Sequence, residues 1–319
     1  MAMSTHHELP ARVGTVQWGF YDAAVPPVLT IASGDTVTVD TLSGTPIDLP
    51  PDNSGFTLLP EHRAVLEETE RGPGPHLLTG PIAVEGAERG DSLKIDILDI
   101  KLRQNWGFNL ILPLLGTLPE DFPDRRCIHI AIDRERGRVR MPWGLEFSAA
   151  PFFGCMGVAP PAGWGRQSSI QPRAFGGNMD NRDLVAGTTL HLPVFHAGGM
   201  FSAGDGHAAQ GHGEVNVTAI ETALTGTFRL TLEKNTQIDL PWAETPGHVM
   251  TMGFDEDLDD AVKQALRAMI RLVRARTGLS ADDAYTLCSV AGDLIVTQVV
   301  DGNKGIHMML PEWALATAR

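Results

Sequence analysis

Apolar and polar positions alternate with period two over much of this chain and with period 3.6 only near its end. Leu93, Ile95 and Ile97 alternate with Lys94 and Asp96, the signature of a strand with one buried face. Two similar runs within Val28 to Thr41 flank Ser33-Gly34-Asp35 and predict a hairpin. His76 to Ile100 predicts another: a strand, a turn through Gly86 to Asp91, then the longer Leu93 strand. Further strands are expected at Ile128 to Asp133, Arg138 to Met141, Thr188 to Phe195, Val215 to Thr222 and Thr227 to Lys234. Between them, Pro142 to Gly177 reads mostly as loop, and Pro241 to Gly247 as a linker.

The period changes at Leu258. Leu258, Ala261, Val262, Ala265, Leu266, Met269, Ile270 and Val273 form one apolar stripe of a helix to Thr277, with acids at its start and arginines towards its end, as the helix dipole favours. Gly278 ends it, Ser280 caps a second helix to about Ala291, and a hairpin folds around Asp301 to Gly305. A short helical piece is expected near Glu61 to Glu68. The pattern predicts a mainly β protein: a sandwich or barrel-type body of short strands with a small C-terminal α+β unit. The expected divisions are 1–140, 141–245 and 246–319.

Composition narrows this in three ways. The 319 residues include 34 glycines and 22 prolines, above the ~12% expected for the pair, so turns are frequent and short strands favoured. A net charge of −14 argues against nucleic-acid and anionic-membrane surfaces, which demand a basic patch, and leaves a neutral or cationic small molecule as partner. No segment approaches the ~20 apolar residues of a membrane span, and the first residues carry no signal-like apolar run, so a cytoplasmic location is expected. Cys127, Cys155 and Cys288 are odd in number and far apart, which points to buried thiols.

Candidate chemistry concentrates between Phe175 and Glu221. Asn178, Asp180, His196, Asp205, His207, His212, Glu214 and Glu221 lie there among nine glycines. In an extended chain Asp205 and His207 leave one face and can meet one ion, whereas His212, five residues on, joins only through a bend at Gly211 or Gly213. Asp180, Asp205 and His207, with His76 as a distant fourth member, have the oxygen and nitrogen character of a site for zinc or a similar divalent ion. Glu214 or Glu221 could then carry protons to a departing amine. The competing reading is that these groups satisfy loop backbone. Trp18 is either a rim residue or core, and Cys155 either a nucleophile or an inert thiol. Gly204 to Ala209 matches G-x-G-x-x-A, but the glycines that follow exclude the helix a dinucleotide loop requires, and no G-x-S-x-G or Walker pattern occurs.

The runs GPIAVEGAERGDSLKIDILDI, PFFGCMGVAP, GGNMDNRDLVAGTTLHLPVF, FSAGDGHAAQGHGEVNVTAIE and SVAGDLIVTQVVDGNKGIHMMLP resemble the acetamidase/formamidase family over roughly Thr15 to Pro311. The resemblance implies hydrolysis of a short aliphatic amide, such as formamide or acetamide, to a carboxylate and ammonia. It implies a β-rich fold with a small α+β part and a homo-oligomer. The family's GNMD segment falls on Gly177, Asn178, Met179 and Asp180, which brings Gly177 and Asn178 forward as substrate-binding residues beside Trp18. Its GDxHAAxG segment falls on Gly204, Asp205, His207, Ala208, Ala209 and Gly211. Two departures stand out: His212 where relatives read Asp in GDGE, and Gln17 where many read His in HWGF.

Three functions are open at this point. One is a metal-assisted amidohydrolase with water as nucleophile and backbone amides near Gly176-Gly177 or Gly198-Gly199 for the oxyanion. A second is a metal-independent amidase using a carboxylate or Cys155. The third is a non-catalytic β protein that binds small amides.

Overall fold

The computed structural model describes residues 4–316. Two large sheets face each other across the main core. The nine-stranded sheet runs, edge to edge, through His6–Leu9, Thr36–Asp40, Leu224–Glu233, Ser92–Leu102, Thr189–Pro193, Trp242–Thr245, His248–Asp255, Lys304–Pro311 and Asp293–Gln298. The six-stranded sheet has Gly176–Asn178, Phe152–Gly157, Phe201–His207, Leu77–Val84 and Val16–Trp18 in order, with Leu29–Ile31 also on Leu77–Val84. A four-stranded meander of Trp106–Ile111, Arg126–Asp133, Arg138–Arg140 and Glu146–Ser148 flanks them. The fold is mainly β, as the alternation predicts.

Inward side chains of both sheets interdigitate. Val37, Ile95 and Leu230 from one meet Leu78, Met156 and Ala203 from the other in a single buried cluster. Phe228 joins them, its ring 5.5 Å from Phe153 and 5.6 Å from Phe201. Truncating such a side chain costs about 3–5 kcal/mol, because the layers cannot close over the cavity.

The C-terminal helices follow their sequence signals. The first helix of the chain, α1, is His62–Glu68. Helix α2, Leu258–Thr277, starts at Asp257, whose side chain accepts the Asp259 and Asp260 amides, and stops at left-handed Gly278. Helix α3, Ala281–Ala291, is capped by Ser280 accepting the Asp283 amide. Of the predicted stripe, Ala261, Ala265, Met269 and Val273 are fully buried, against His248–Asp255 and Lys304–Pro311. This core is separate from that of the sandwich, although its strands continue the nine-stranded sheet.

Five local expectations are corrected. The runs around Ser33-Gly34-Asp35 are not a hairpin: Leu29–Ile31 joins the six-stranded sheet and Thr36–Asp40 the nine-stranded one. Leu77–Val84 and Ser92–Leu102 part in the same way. In both cases a turn read locally carries the chain from one layer to the other. Val215 to Thr222 is not a strand, because Val217 has φ +86° and the Asn216 and Thr218 side chains take the contacts to Asn109 and Leu110. Pro142 to Gly177 holds the fully buried strand Phe152–Gly157, and the supposed linker holds Trp242–Thr245, paired on both sides.

Candidate active site

Strand Phe201–His207 carries the centre of the site through the six-stranded sheet. Its ladder pairs Phe153 with Gly206 and Cys155 with Gly204, which puts Gly154 opposite Asp205. A Cβ on Gly154 would collide with the carboxylates of Asp180 and Asp205 and with the His207 ring. The missing side chain is therefore what makes room for three polar groups inside a β-layer. Asp205 has φ +56°, Asp180 +45° and Glu214 +46°, left-handed conformations that carboxylate residues rarely adopt.

Asp205 and His207 do share a face. His207 Nε2 lies 3.3 Å from Asp205 Oδ2, 3.2 Å from Glu221 Oε1 and 3.9 Å from Asp180 Oδ1. Its other nitrogen, Nδ1, meets Gln210 Oε1 at 2.9 Å, and Gln210 Nε2 donates to the Asp180 carbonyl at 2.8 Å, so one amide orients the imidazole and ties two segments together. Phe152 places its ring edge-on to His207 at 5.0 Å. Glu221 accepts the Ala219 amide at 2.9 Å. Asp180, Asp205, His207 and Glu221 are all buried.

Their protonation is set by that burial and by one another. Burial pushes Glu221 up to about 7 against the pull of His207, and burial with neighbouring Asp205 pushes Asp180 up to about 6. Glu214 is held well above the carboxylate range by burial, then by Asp180 and Asp301. Asp205 goes the other way: burial opposes its charge, but His76 and His207 outweigh it and lower its pKa. His207 is likewise raised well above its ordinary value because Glu221 and Asp205 overcome desolvation. The cluster thus separates charge-holding from proton-holding carboxyls.

Donor atoms of Asp180, Asp205 and His207 lie within 4.8 Å of one another, as do those of His207, Glu214 and Glu221, and of Asp180, Glu214 and Asp301. Asp180 Oδ1, His207 Nε2, Glu214 Oε2 and Asp301 Oδ2 are buried without a hydrogen-bond partner. Each such atom costs about 1–3 kcal/mol, and a divalent cation would satisfy several at once. The mixed oxygen and nitrogen set fits zinc or a similar ion.

The cluster opens on a cavity of about 180 Å³. His76, Asn178, Asp180, Asp205, Glu214, Glu221 and Asp301 line its polar end, with Leu42, Phe108, Leu110 and Val217 among its apolar walls. Asn178 Nδ2 donates to the Ile170 carbonyl and its Oδ1 accepts from Cys155 Sγ at 3.1 Å. His76 lies outside the three donor groups: Nε2 is 3.8 Å from Asp205 Oδ1, and Nδ1 meets Ser169 Oγ at 2.9 Å.

Other expected positions lie elsewhere. Trp18 is buried in a satellite core, donating from Nε1 to the Pro75 carbonyl, and neither it nor Gly177 lines the cavity. Gln17 is buried beside Ser202. The His196 side chain meets the carbonyl of Ala197 at 2.9 Å, away from the cluster. The Gly176, Gly198 and Gly199 amides already donate to Arg173, Ala87 and His196 carbonyls, so they do not serve an oxyanion. His212 faces Asp183 instead of His207. Asp301 was not anticipated: in an Asp-Gly turn its type is explained by the turn alone.

A profile of the Acetamidase/Formamidase family matches residues 15–168 and 165–313. An acetamidase of Mycolicibacterium smegmatis is 27% identical over 199 residues, covering 44% of this chain and 49% of that protein. The chain spans about half the length of the curated relatives it matches. Among solved structures, a predicted acetamidase/formamidase from Thermoanaerobacter tengcongensis superposes with a TM-score of 0.86 at 27% identity, covering 98% of both chains. An acetamidase from Bacillus halodurans gives 0.83 at 32% identity, covering 97% of this chain and all of that one. With the profile running nearly end to end and solved acetamidases overlaying the whole structure, the chain belongs to the acetamidase/formamidase family.

Proposed function

We propose that the protein hydrolyses short aliphatic amides, of the formamide and acetamide class, to a carboxylate and ammonia. The observation that carries this is the buried cluster of unpartnered donors at the polar end of a small cavity, in a chain of this family. Asp180, Asp205 and His207 would hold a divalent ion, zinc by donor type, which when bound supplies Lewis acidity and brings the pKa of water towards ~7. Asp205 keeps its negative charge, and the His207 Nδ1 proton donated to Gln210 keeps the imidazole in place with Nε2 towards the ion site. Glu221, poised near neutrality, takes a proton from the attacking water and passes it to the departing amine. Burial and the neighbouring Asp180 hold the Glu214 and Asp301 carboxyls well above the ordinary range in the ion-free cluster, and in their protonated form they would present O–H donors to developing negative charge. The apolar walls exclude water from the acyl side.

Cys155 makes a poor nucleophile, since burial and then Asp205 and Asp180 hold its thiol well above the ordinary range. The three cysteines are free, which supports a cytoplasmic location. No helix is long and apolar enough to cross a membrane among the described residues. Exposed Leu114, Leu118 and Phe122 support self-association.

Ammonia release from formamide and acetamide tests the reading. Turnover should fall on chelation and return with zinc. Full activity in metal-free protein would remove the ion, and no turnover of any short amide would remove the enzyme.

A further inference from the structure

Asp183, His212 and His307 come from three separate segments, yet their donor atoms lie within 4.8 Å of one another. His307 is fully buried on Lys304–Pro311, and its Nδ1 meets Thr297 Oγ1 on the adjacent strand at 2.8 Å. That contact turns Nε2 towards Asp183 Oδ2, 3.1 Å away. Neither atom makes a hydrogen bond of acceptable geometry. Where the neutral imidazole carries its proton on Nδ1 and donates it to Thr297, Nε2 turns a lone pair to the Asp183 carboxylate, an arrangement that a cation between them satisfies. His212 supplies the third donor, with Nε2 3.7 Å from the same oxygen and its ring 5.5 Å from that of His307.

We propose that Asp183, His212 and His307 form a second divalent-cation site, distinct from the cluster at Asp180, Asp205 and His207. Two imidazoles and one carboxylate select a borderline ion such as zinc over magnesium or calcium. The half-exposed His212 ring lines a surface cleft, which gives the ion a route in and leaves a position for water. Arg182 lines the same cleft and opposes the cation by charge. An ion there ties the loop bearing Glu214 to the last hairpin, where Gly213 N already donates to the Thr297 carbonyl and Val299 N to the Gly213 carbonyl. It is therefore a clamp that holds a cavity carboxyl in position from outside.

The test titrates metal-free protein with zinc by calorimetry and locates bound zinc in crystals by anomalous diffraction at its absorption edge. Wild type should bind one more ion per chain than His212→Ala, with an anomalous peak between the three side chains that the variant lacks. Asp183→Asn should behave like His212→Ala. Both variants leave the Asp180, Asp205 and His207 set intact, so the difference of one ion holds whether or not that set binds zinc. Equal stoichiometry in wild type and His212→Ala, or wild-type crystals with no peak at this position, would overturn the proposal, and the crystal arm needs no variant to fold.

Discussion

Glu221 Oε1 meets His207 Nε2 at 3.2 Å while accepting the amide of Ala219, two residues back, at 2.9 Å. The carboxylate is thus anchored by its own loop and aimed by that anchor. Glutamine in its place keeps the acceptor and the shape but cannot carry a proton. Glu221→Gln should lower kcat by about 10²–10⁴ with little change in KM, the scale of a lost general base. Steady-state kinetics beside a thermal melt checks this, and near wild-type kcat in a folded variant would remove Glu221 from the chemistry.

Gly154 bears on the same groups from the opposite strand. Gly154→Ala puts a methyl where the Asp180 and Asp205 carboxylates now lie. The expected result is a folded protein, destabilised by about 1–3 kcal/mol, with turnover down at least ~100-fold, since small misplacements of reacting groups have that effect. Elemental analysis should show less bound metal than in wild type.

Cys155 should be dispensable. Its thiol donates to Asn178 but is held protonated. Cys155→Ala is expected to keep activity within about tenfold of wild type, in keeping with a lost positioning contact rather than a lost nucleophile. A loss beyond ~10³-fold in a folded variant would restore the covalent reading.

His62 offers a test of stability. It is fully buried on α1 with no hydrogen-bond partner for either ring nitrogen, and burial lowers its pKa to about 4. The unfolded chain binds this proton near 6.5, so between about 6.5 and 4 the unfolded state holds a proton that the native state refuses. Stability should fall with pH across that window, by up to about 3 kcal/mol. Urea unfolding at pH 8 and pH 5 measures it, and His62→Leu should flatten the difference. An unchanged pH dependence in His62→Leu would assign the slope to other groups.

Local rules found the local features. Asp257, Gly278 and Ser280 mark helix ends with their own side chains or backbone, and α2 and α3 have the expected bounds. Pairing between layers was not legible, because Ser33-Gly34-Asp35 looks the same whether its strands meet or part. The strand Phe152–Gly157 escaped notice since FFGCMG lacks alternation when both faces are buried. At the site, Asp180, Asp205, His207, Glu214 and Glu221 were readable as a dense cluster of ligand types, whereas Asp301 was masked by its turn and Gly154 by having no side chain to notice. Trp18 could be read either way, since an aromatic near a glycine suits a core as well as a rim, and it packs in a core.

The left-handed backbone at Asp180, Asp205 and Glu214 sets two selections against each other. Glycine at any of these positions would relieve about 1–2 kcal/mol of conformational strain while deleting a carboxyl the site uses. A library screened only for thermal resistance should therefore enrich glycine at these three positions and return robust proteins with no turnover. Conversely, variants selected for activity alone should retain the strained carboxylates and gather their compensating changes in the two cores.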